Sequence, residues 1–227
     1  MSDSFATLEA LLHARHSCRA FLPDEIPRGT IEHIVAAAQR APSWCNAQPW
    51  QVVVTSAERT EALRKGLLAE VERSPPAPDI PFPTSYSGVY RERRRTCGWQ
   101  LYESVGVKRG DREGSARQMR ENFRFFGAPH VALITTEAEL GQYGLLDCGG
   151  FITAFLLAAQ ARGVATIAQA AVAGWSPFLR RFFELPENRL ILCTIALGKE
   201  DTAHPANVFR TERAPLAQVM RWDDEGG

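Results

Sequence analysis

Phe5, Leu8, Leu11 and Leu12 recur at helical spacing and predict a first helix ending near His13–Arg15. A polar turn follows, with Pro23 and Pro27 behind it. Ile31, Ile34, Val35 and Ala38 mark one face of a second helix, with Thr30 as its N-cap, and Pro42 cannot continue that helix. The run Trp50 to Thr55 (WQVVVT) reads as a buried strand, and Glu58 to Leu68 as a helix after it. Five prolines between Arg73 and Pro83 predict a loop, and residues 85–120 are polar and rich in arginine. His130 to Thr136 (HVALITT) is another strand. Gly149 to Ala161 is apolar on every side, the pattern of a helix buried all round or shared with a partner subunit, and Asp147 ahead of it reads as an N-cap. Val164 to Ala168 and Leu190 to Leu197 give further strands, with a short amphipathic helix, Phe178 to Glu184, between them. The tail from Asn207 to Trp222 is basic and interrupted by proline.

Strands separated by long helical stretches, in no simple βαβ series, predict an α+β fold over residues 1–227. The chain reads as one domain with an excursion at about 70–120. The all-apolar helix predicts a large homodimer interface, because a domain of this size seldom surrounds a helix completely. Charge narrows the partners: 26 Lys and Arg balance 26 Asp and Glu, which argues against holding nucleic acid or anionic lipid by bulk charge. Cys18, Cys45, Cys97, Cys148 and Cys193 are scattered singly. That predicts reduced thiols in the cytoplasm, with neither a disulfide scaffold nor a metal site. The N-terminus has no signal-peptide pattern, and the apolar stretches fall short of the ~20 residues a bilayer span requires.

The usual cofactor signatures, G-x-G-x-x-G, the P-loop, G-x-S-x-G and H-E-x-x-H, are missing. Two segments carry candidate chemistry instead. Arg15-His16-Ser17-Cys18-Arg19 sets two guanidinium forks around a hydroxyl and an imidazole, a donor set that can grip phosphate or form a solvated surface. Ala41 to Trp50 (APSWCNAQPW) packs Ser43, Asn46 and Gln48 around two tryptophans. That connection is either a rigid turn plugging the core or a polar and aromatic lining for a flat heterocycle. Cys18 and Cys45 lie inside these segments and read as small fillers rather than nucleophiles.

Taken together, R15-x-S17 and P42-S-x-x-N46-x-Q48-P-W50 resemble the FMN-dependent nitroreductase family. E121-N-F-R-F-F-G-A-P-H130 and N207-V-F-R-T-E-R-A-P215 resemble its nitrobenzoate-reductase-like branch. The resemblance implies a mixed central sheet flanked by helices, in an intertwined homodimer with FMN at the interface. Arg15, His16, Ser17 and Arg19 would hold the ribityl chain and phosphate, and Arg210 and Arg213 would close over the phosphate from the tail. Pro42, Ser43 and Asn46, with Gln48 less directly, would reach the partner subunit's flavin. Trp44 would wall the substrate pocket. Asn122 and Arg124 would face the pyrimidine edge of the ring. Gln169 and Ala170 fall where the family places backbone beside flavin N5, often with an acidic residue and glycine, so a backbone contact survives the departure and a side-chain role does not.

The implied chemistry is ping-pong reduction of nitroaromatic or quinone-type substrates by NADPH or NADH. Flavin N5 carries the hydride, and no side chain acts as catalytic acid or base. Same-fold alternatives are flavin-ring cleavage, reductive dehalogenation and non-catalytic flavin binding. Arg91 to Arg95 reads as a solvated helix face paired with Glu92, Glu103 and Asp111, or as a magnet for a substrate carboxylate or the 2′-phosphate of NADPH. Tyr86, Tyr90, Trp99 and Tyr102 in the same excursion either wall the pocket or pack on a dimer mate.

Overall fold

A computed structural model describes residues 3–223. Its sheet is built around β5 (Arg189–Glu200), which pairs antiparallel with β3 (His130–Glu137) along one edge and with β4 (Ala165–Gln169) along the other. β2 (Gln51–Val54) extends the β3 side, and the two-residue β1 (Phe21–Leu22) pairs with Glu200 and Lys199. The parallel component of the expected mixed sheet is one bridge, Ser17 to Thr166, on the outer edge of β4. That bridge matters for function, since it lays the Arg15–Arg19 segment along the outer edge of the sheet at β4.

Period-two alternation sends β3 side chains to two cores. Val131 and Leu133 face Leu63 and Leu67 of α3 (Ala57–Arg73), and the same core holds Leu179 of α7 (Ser176–Phe183). Ala132 and Ile134 face the opposite core, with Ile31 and Ile34 of α2 (Arg28–Ala38) and Phe151 and Phe155 of α6 (Gly141–Ala161). Phe151 and Phe155 are fully buried, each contributing about 1.5–3 kcal/mol of transfer free energy. Both faces of the sheet are therefore covered by helices.

Several elements differ from the sequence reading. Helix α2 starts at Arg28, so Thr30 lies inside its first turn and Pro27 stands at the cap position. The β2 strand is only partly covered, because it is the sheet's outer strand. Helix α6 begins at Gly141, which places Asp147 mid-helix rather than at its cap. It is long and apolar enough by length and composition to cross a membrane, yet Cys148, Phe151, Phe155 and Ala159 pack into the core. Its other face is open: Leu146 and Tyr143 are exposed, so the helix is not buried all round within one chain. The polar excursion forms two helices after the proline loop, α4 (Gly88–Ser104) and α5 (Arg112–Arg120). The first helix, α1 (Ser4–Ala14), ends where the sequence pattern places it.

Candidate functional site

Helix α1 delivers its last residue beside β4. There Cys18 N–H donates to Thr166 O (3.0 Å), fixing the Arg15–Arg19 backbone against the sheet. From the other end of the chain, Asn207 does the same for the tail. It is buried, its Oδ1 accepts from Arg19 N–H (2.6 Å), and its Nδ2 donates to Ala20 O and Asp201 O (both 2.9 Å). The result is a cleft of about 820 Å³ whose lining includes Arg15, His16, Ser17, Arg19, Arg210 and Arg213. Six sequence-predicted residues from the two termini thus converge.

Charge is the cleft's main property. None of its four guanidinium groups has a carboxylate within 4.0 Å among the described residues. Arg19 donates to Ser17 O (3.1 Å) and lies over the Phe209 ring, 5.4 Å from its centroid. Arg210 and Arg213 donate to neighbouring tail carbonyls, Asn207 O and Thr211 O among them. Burial lowers the pKa of Arg15, and the nearby charge of Arg213 lowers it further. Burial lowers that of Arg19 too. Clustered, partly desolvated like charges of this kind are stabilised by an anion and destabilise one another without it.

His16 is positioned by a residue the sequence reading passed over. Its Nε2 lies 2.9 Å from Glu200 Oε1 and its Nδ1 3.1 Å from Ala14 O. Both partners are acceptors, so the ring is held between a carboxylate and a backbone carbonyl at the wall of the cleft. Asn207 was also passed over as a site residue, although it stands in the tail motif. The signal available was an amide immediately preceding the Arg210 and Arg213 run. Cys97 of α4 lines the cleft as well, so the excursion closes one side of it.

The second motif lies elsewhere on the protomer. Pro42, Trp44, Asn46 and Gln48 are exposed and Ser43 partly so, and none of them lines the arginine cleft. Cys45, Asn46 and Gln48 all take left-handed backbone, with φ of 49°, 57° and 49°. Non-glycine residues hold such angles only where surrounding contacts impose them. Those contacts are visible: Trp44 N–H donates to Asp147 Oδ2 (3.0 Å), Gln48 N–H donates to Ser43 Oγ (3.0 Å), and the Trp44 ring lies 4.9 Å from Tyr143. Asp147 is thus the anchor of this loop. The loop presents its amides and indole outward beside the open face of α6.

Asn122 and Arg124 sit on a short turn, Glu121–Gly127, where Phe125 and Phe126 are also left-handed and buried. Clamps on its carbonyls hold the turn: Gln169 Nε2 donates to Asn122 O (2.8 Å), and Arg64 donates to Arg124 O (2.9 Å) and Ala128 O (2.8 Å). Arg124 itself is exposed, 3.6 Å from Glu121, and does not line the cleft. The Gln169 side chain is turned inward and committed to this clamp, which leaves backbone and the exposed Ala170 at the end of β4. Cys18 is fully buried and its thiol is pushed up to about 12 by burial, as befits a filler. A further cleft of about 650 Å³, between α2 and β2, is lined by none of the predicted site residues, although His130, which ends the Glu121–His130 motif, borders it.

On the excursion, the arginine run is solvated but unpaired. Among the described residues Arg91, Arg93, Arg94 and Arg95 form no ion pair, while Asp111 accepts instead from Gly114 N–H (2.8 Å) at the start of α5. Tyr86 and Tyr90 are exposed, and Trp99 packs edge-on against Tyr102 at 5.8 Å.

Comparisons with known proteins agree with this geometry. The chain is 34% identical over 214 residues to a 4-nitrobenzoate reductase of Pseudomonas putida, covering 94% of this chain and 92% of that one. It is 32% identical over 224 residues to a 4-nitrobenzoate reductase of Nocardioides sp. (strain LMS-CY), covering 96% and 91%. Its fold superposes with a TM-score of 0.92 on the crystal structure of the FMN-dependent nitroreductase NfnB from Mycobacterium smegmatis in complex with NADPH, at 31% identity and covering 97% and 99% of the two chains. The nitroreductase family model matches residues 12–199, and the chain belongs to the nitroreductase family.

Proposed function

We propose that this protein is an FMN-dependent NAD(P)H oxidoreductase that reduces nitroaromatic or quinone-type compounds, working as a cytoplasmic homodimer. The observation that carries the cofactor is the cleft of unpaired guanidinium groups. A phosphate of about −1.5 to −2 charge supplies the counter-charge that Arg15, Arg19, Arg210 and Arg213 lack, through charge-assisted hydrogen bonds. Ser17 adds a hydroxyl donor at the ribityl side, where His16 also borders the cleft. FMN, when bound, supplies the two-electron redox chemistry between a nicotinamide and the nitro group.

The chain's own residues bind, orient and exclude water. With FMN bound, backbone at Gln169 and Ala170 would hold the reactive edge of the ring, and Asn122 and Arg124 would hold its pyrimidine edge. Pro42, Ser43, Asn46 and Gln48 act on the flavin of the partner subunit, with Trp44 walling the substrate pocket. Their exposure beside the open α6 face supports that assignment, because isolated motif amides held in strained backbone suit a surface that another chain covers. Phe5, Leu8 and Leu12 of α1 are exposed alongside Leu146 and Tyr143 of α6, which supports a large apolar dimer interface. Residues 1–227 form one FMN-binding domain, and the excursion at about 70–120 covers the active site, consistent with Cys97 in the cleft wall.

Because one open face must serve both substrates, the nicotinamide leaves before the nitro compound enters. Initial rates at varied NADPH and 4-nitrobenzoate are expected to give parallel double-reciprocal lines. Intersecting lines, or turnover that releases halide or consumes the flavin, would count against this reading.

A further inference from the structure

Among the described residues the arginines of α4 form no ion pair, and Arg93 donates to Gln218 Oε1 of the tail (3.0 Å). At about 100° per residue, Tyr90, Arg93, Arg94 and Cys97 fall within one ~100° arc of the helix. Cys97 lines the cofactor cleft beside Arg15, Arg19 and Arg213. Cys97 and Arg93 also line a neighbouring groove of about 620 Å³ between α4 and the tail, which shares Thr211 and Arg213 with the cleft. Cys97 and Arg93 therefore join the groove to the cofactor cleft, and Tyr90 and Arg94 stand on the same helix arc outside the groove's lining.

We propose that the Tyr90–Arg93–Arg94 face of α4 binds the adenosine 2′-phosphate of NADPH and gives the enzyme a preference for NADPH over NADH. The proposal rests on the NAD(P)H-oxidising reading above. Arg94 lies over the Tyr86 ring, 5.2 Å from its centroid, so one guanidinium face is held by stacking while its N–H edge stays open to solvent. Tyr90, 66% exposed, offers a flat plate on which a purine can stack. Glu92 and Glu212 line the neighbouring groove and repel an anion there, which puts the phosphate on the Arg93–Arg94 ridge rather than in the groove. The carboxylate of a one-ring nitrobenzoate suits the ridge less well, because it lies a single ring's width from the reacting nitro group and belongs inside the pocket rather than on an exposed helix.

The test uses the FMN-loaded dimer and the ratio of kcat/KM for NADPH to that for NADH, with one nitroarene as acceptor. The native enzyme is expected to favour NADPH. Arg94→Ala, with Arg93→Ala as a second variant, is expected to lower that ratio about tenfold through the KM for NADPH, and Arg94→Lys to recover part of it. A native enzyme without NADPH preference, or a ratio unmoved in both alanine variants, overturns the proposal. A changed preference for 4-nitrobenzoate over nitrobenzene with an unmoved nicotinamide ratio also overturns it, and assigns the ridge to the acceptor. If the native holoenzyme oxidises neither nicotinamide, the functional reading itself has failed, and that is seen before any variant is made.

Discussion

Arg15→Ala separates a ligand-holding role from a structural one, because the two make opposite demands on the apoprotein. Arg15 is partly desolvated and repelled by Arg213, and among the described residues no carboxylate compensates it. Its removal costs the bound phosphate a charge-assisted contact of about 2 kcal/mol, a roughly thirtyfold weaker FMN dissociation constant. At FMN one hundred times the native dissociation constant, ligand linkage stabilises the native protein by about 2.7 kcal/mol and the variant by about 0.9. For a chain of this length that ~1.8 kcal/mol difference removes roughly 4–7 °C of the FMN-induced rise in Tm. The apoprotein should melt unchanged or slightly higher, since the variant relieves like-charge repulsion. Thermal melts of apo and FMN-saturated protein, with a fluorescence titration of FMN, read both quantities. An apoprotein that loses as much stability as the holoprotein, or an FMN affinity equal to the native one, would refute the reasoning.

Other expectations concern how the cleft and core are held. Asn207→Ala strands Arg19 N–H and two carbonyls in a buried position and should cost about 2–4 kcal/mol in urea unfolding, with FMN affinity falling too because Arg19 loses its anchor; a loss below 1 kcal/mol would contradict it. Gly198→Ala on β5 would bring a Cβ to 2.7 Å from Pro129 Cδ and 3.2 Å from Phe21 Cδ1, and the strain should cost about 1–3 kcal/mol by the same assay. Burial raises the thiols of Cys18, Cys148 and Cys193 from 9.0 to about 12, 11 and 12. Folded pKa values above unfolded ones mean that this contribution is intact below pH 9 and lost as pH climbs toward 11–12, by up to ~1.4 kcal/mol per pH unit for each thiol. Stability measured from pH 8 to 10.5 should fall less steeply in Cys193→Ala than in the native chain, and equal slopes would contradict the assignment.

The apolar strands and the helices with clear faces were legible in the sequence, because β3 and β5 bury side chains in both directions and α1, α3 and α7 carry regular apolar spacing. Helix α4 was not legible: no residue of it is buried, so it has no apolar period to read. The start of α6 was hidden by Gly141 and Gly144, and Asp147 resembled a cap because its true partner, Trp44 N–H, lies a hundred residues away in sequence. The site shows the same division. The Arg15–Arg19 and Arg210–Arg213 clusters could be identified singly from residue type, but their meeting depends on Asn207 bonding to Arg19 and Ala20. Glu200 escaped notice because a carboxylate at a strand end has no signature until His16 is placed against it.

The central claim, a flavin held in the arginine cleft and cycled by nicotinamide, is tested most directly by the visible spectrum of the purified protein under anaerobic titration. The account predicts a bound flavin spectrum that bleaches on adding NADPH and returns on adding 4-nitrobenzoate. A flavin band that neither NADPH nor NADH bleaches would contradict the proposed activity. A colourless protein that also fails to take up added FMN would contradict the assignment of the cleft itself.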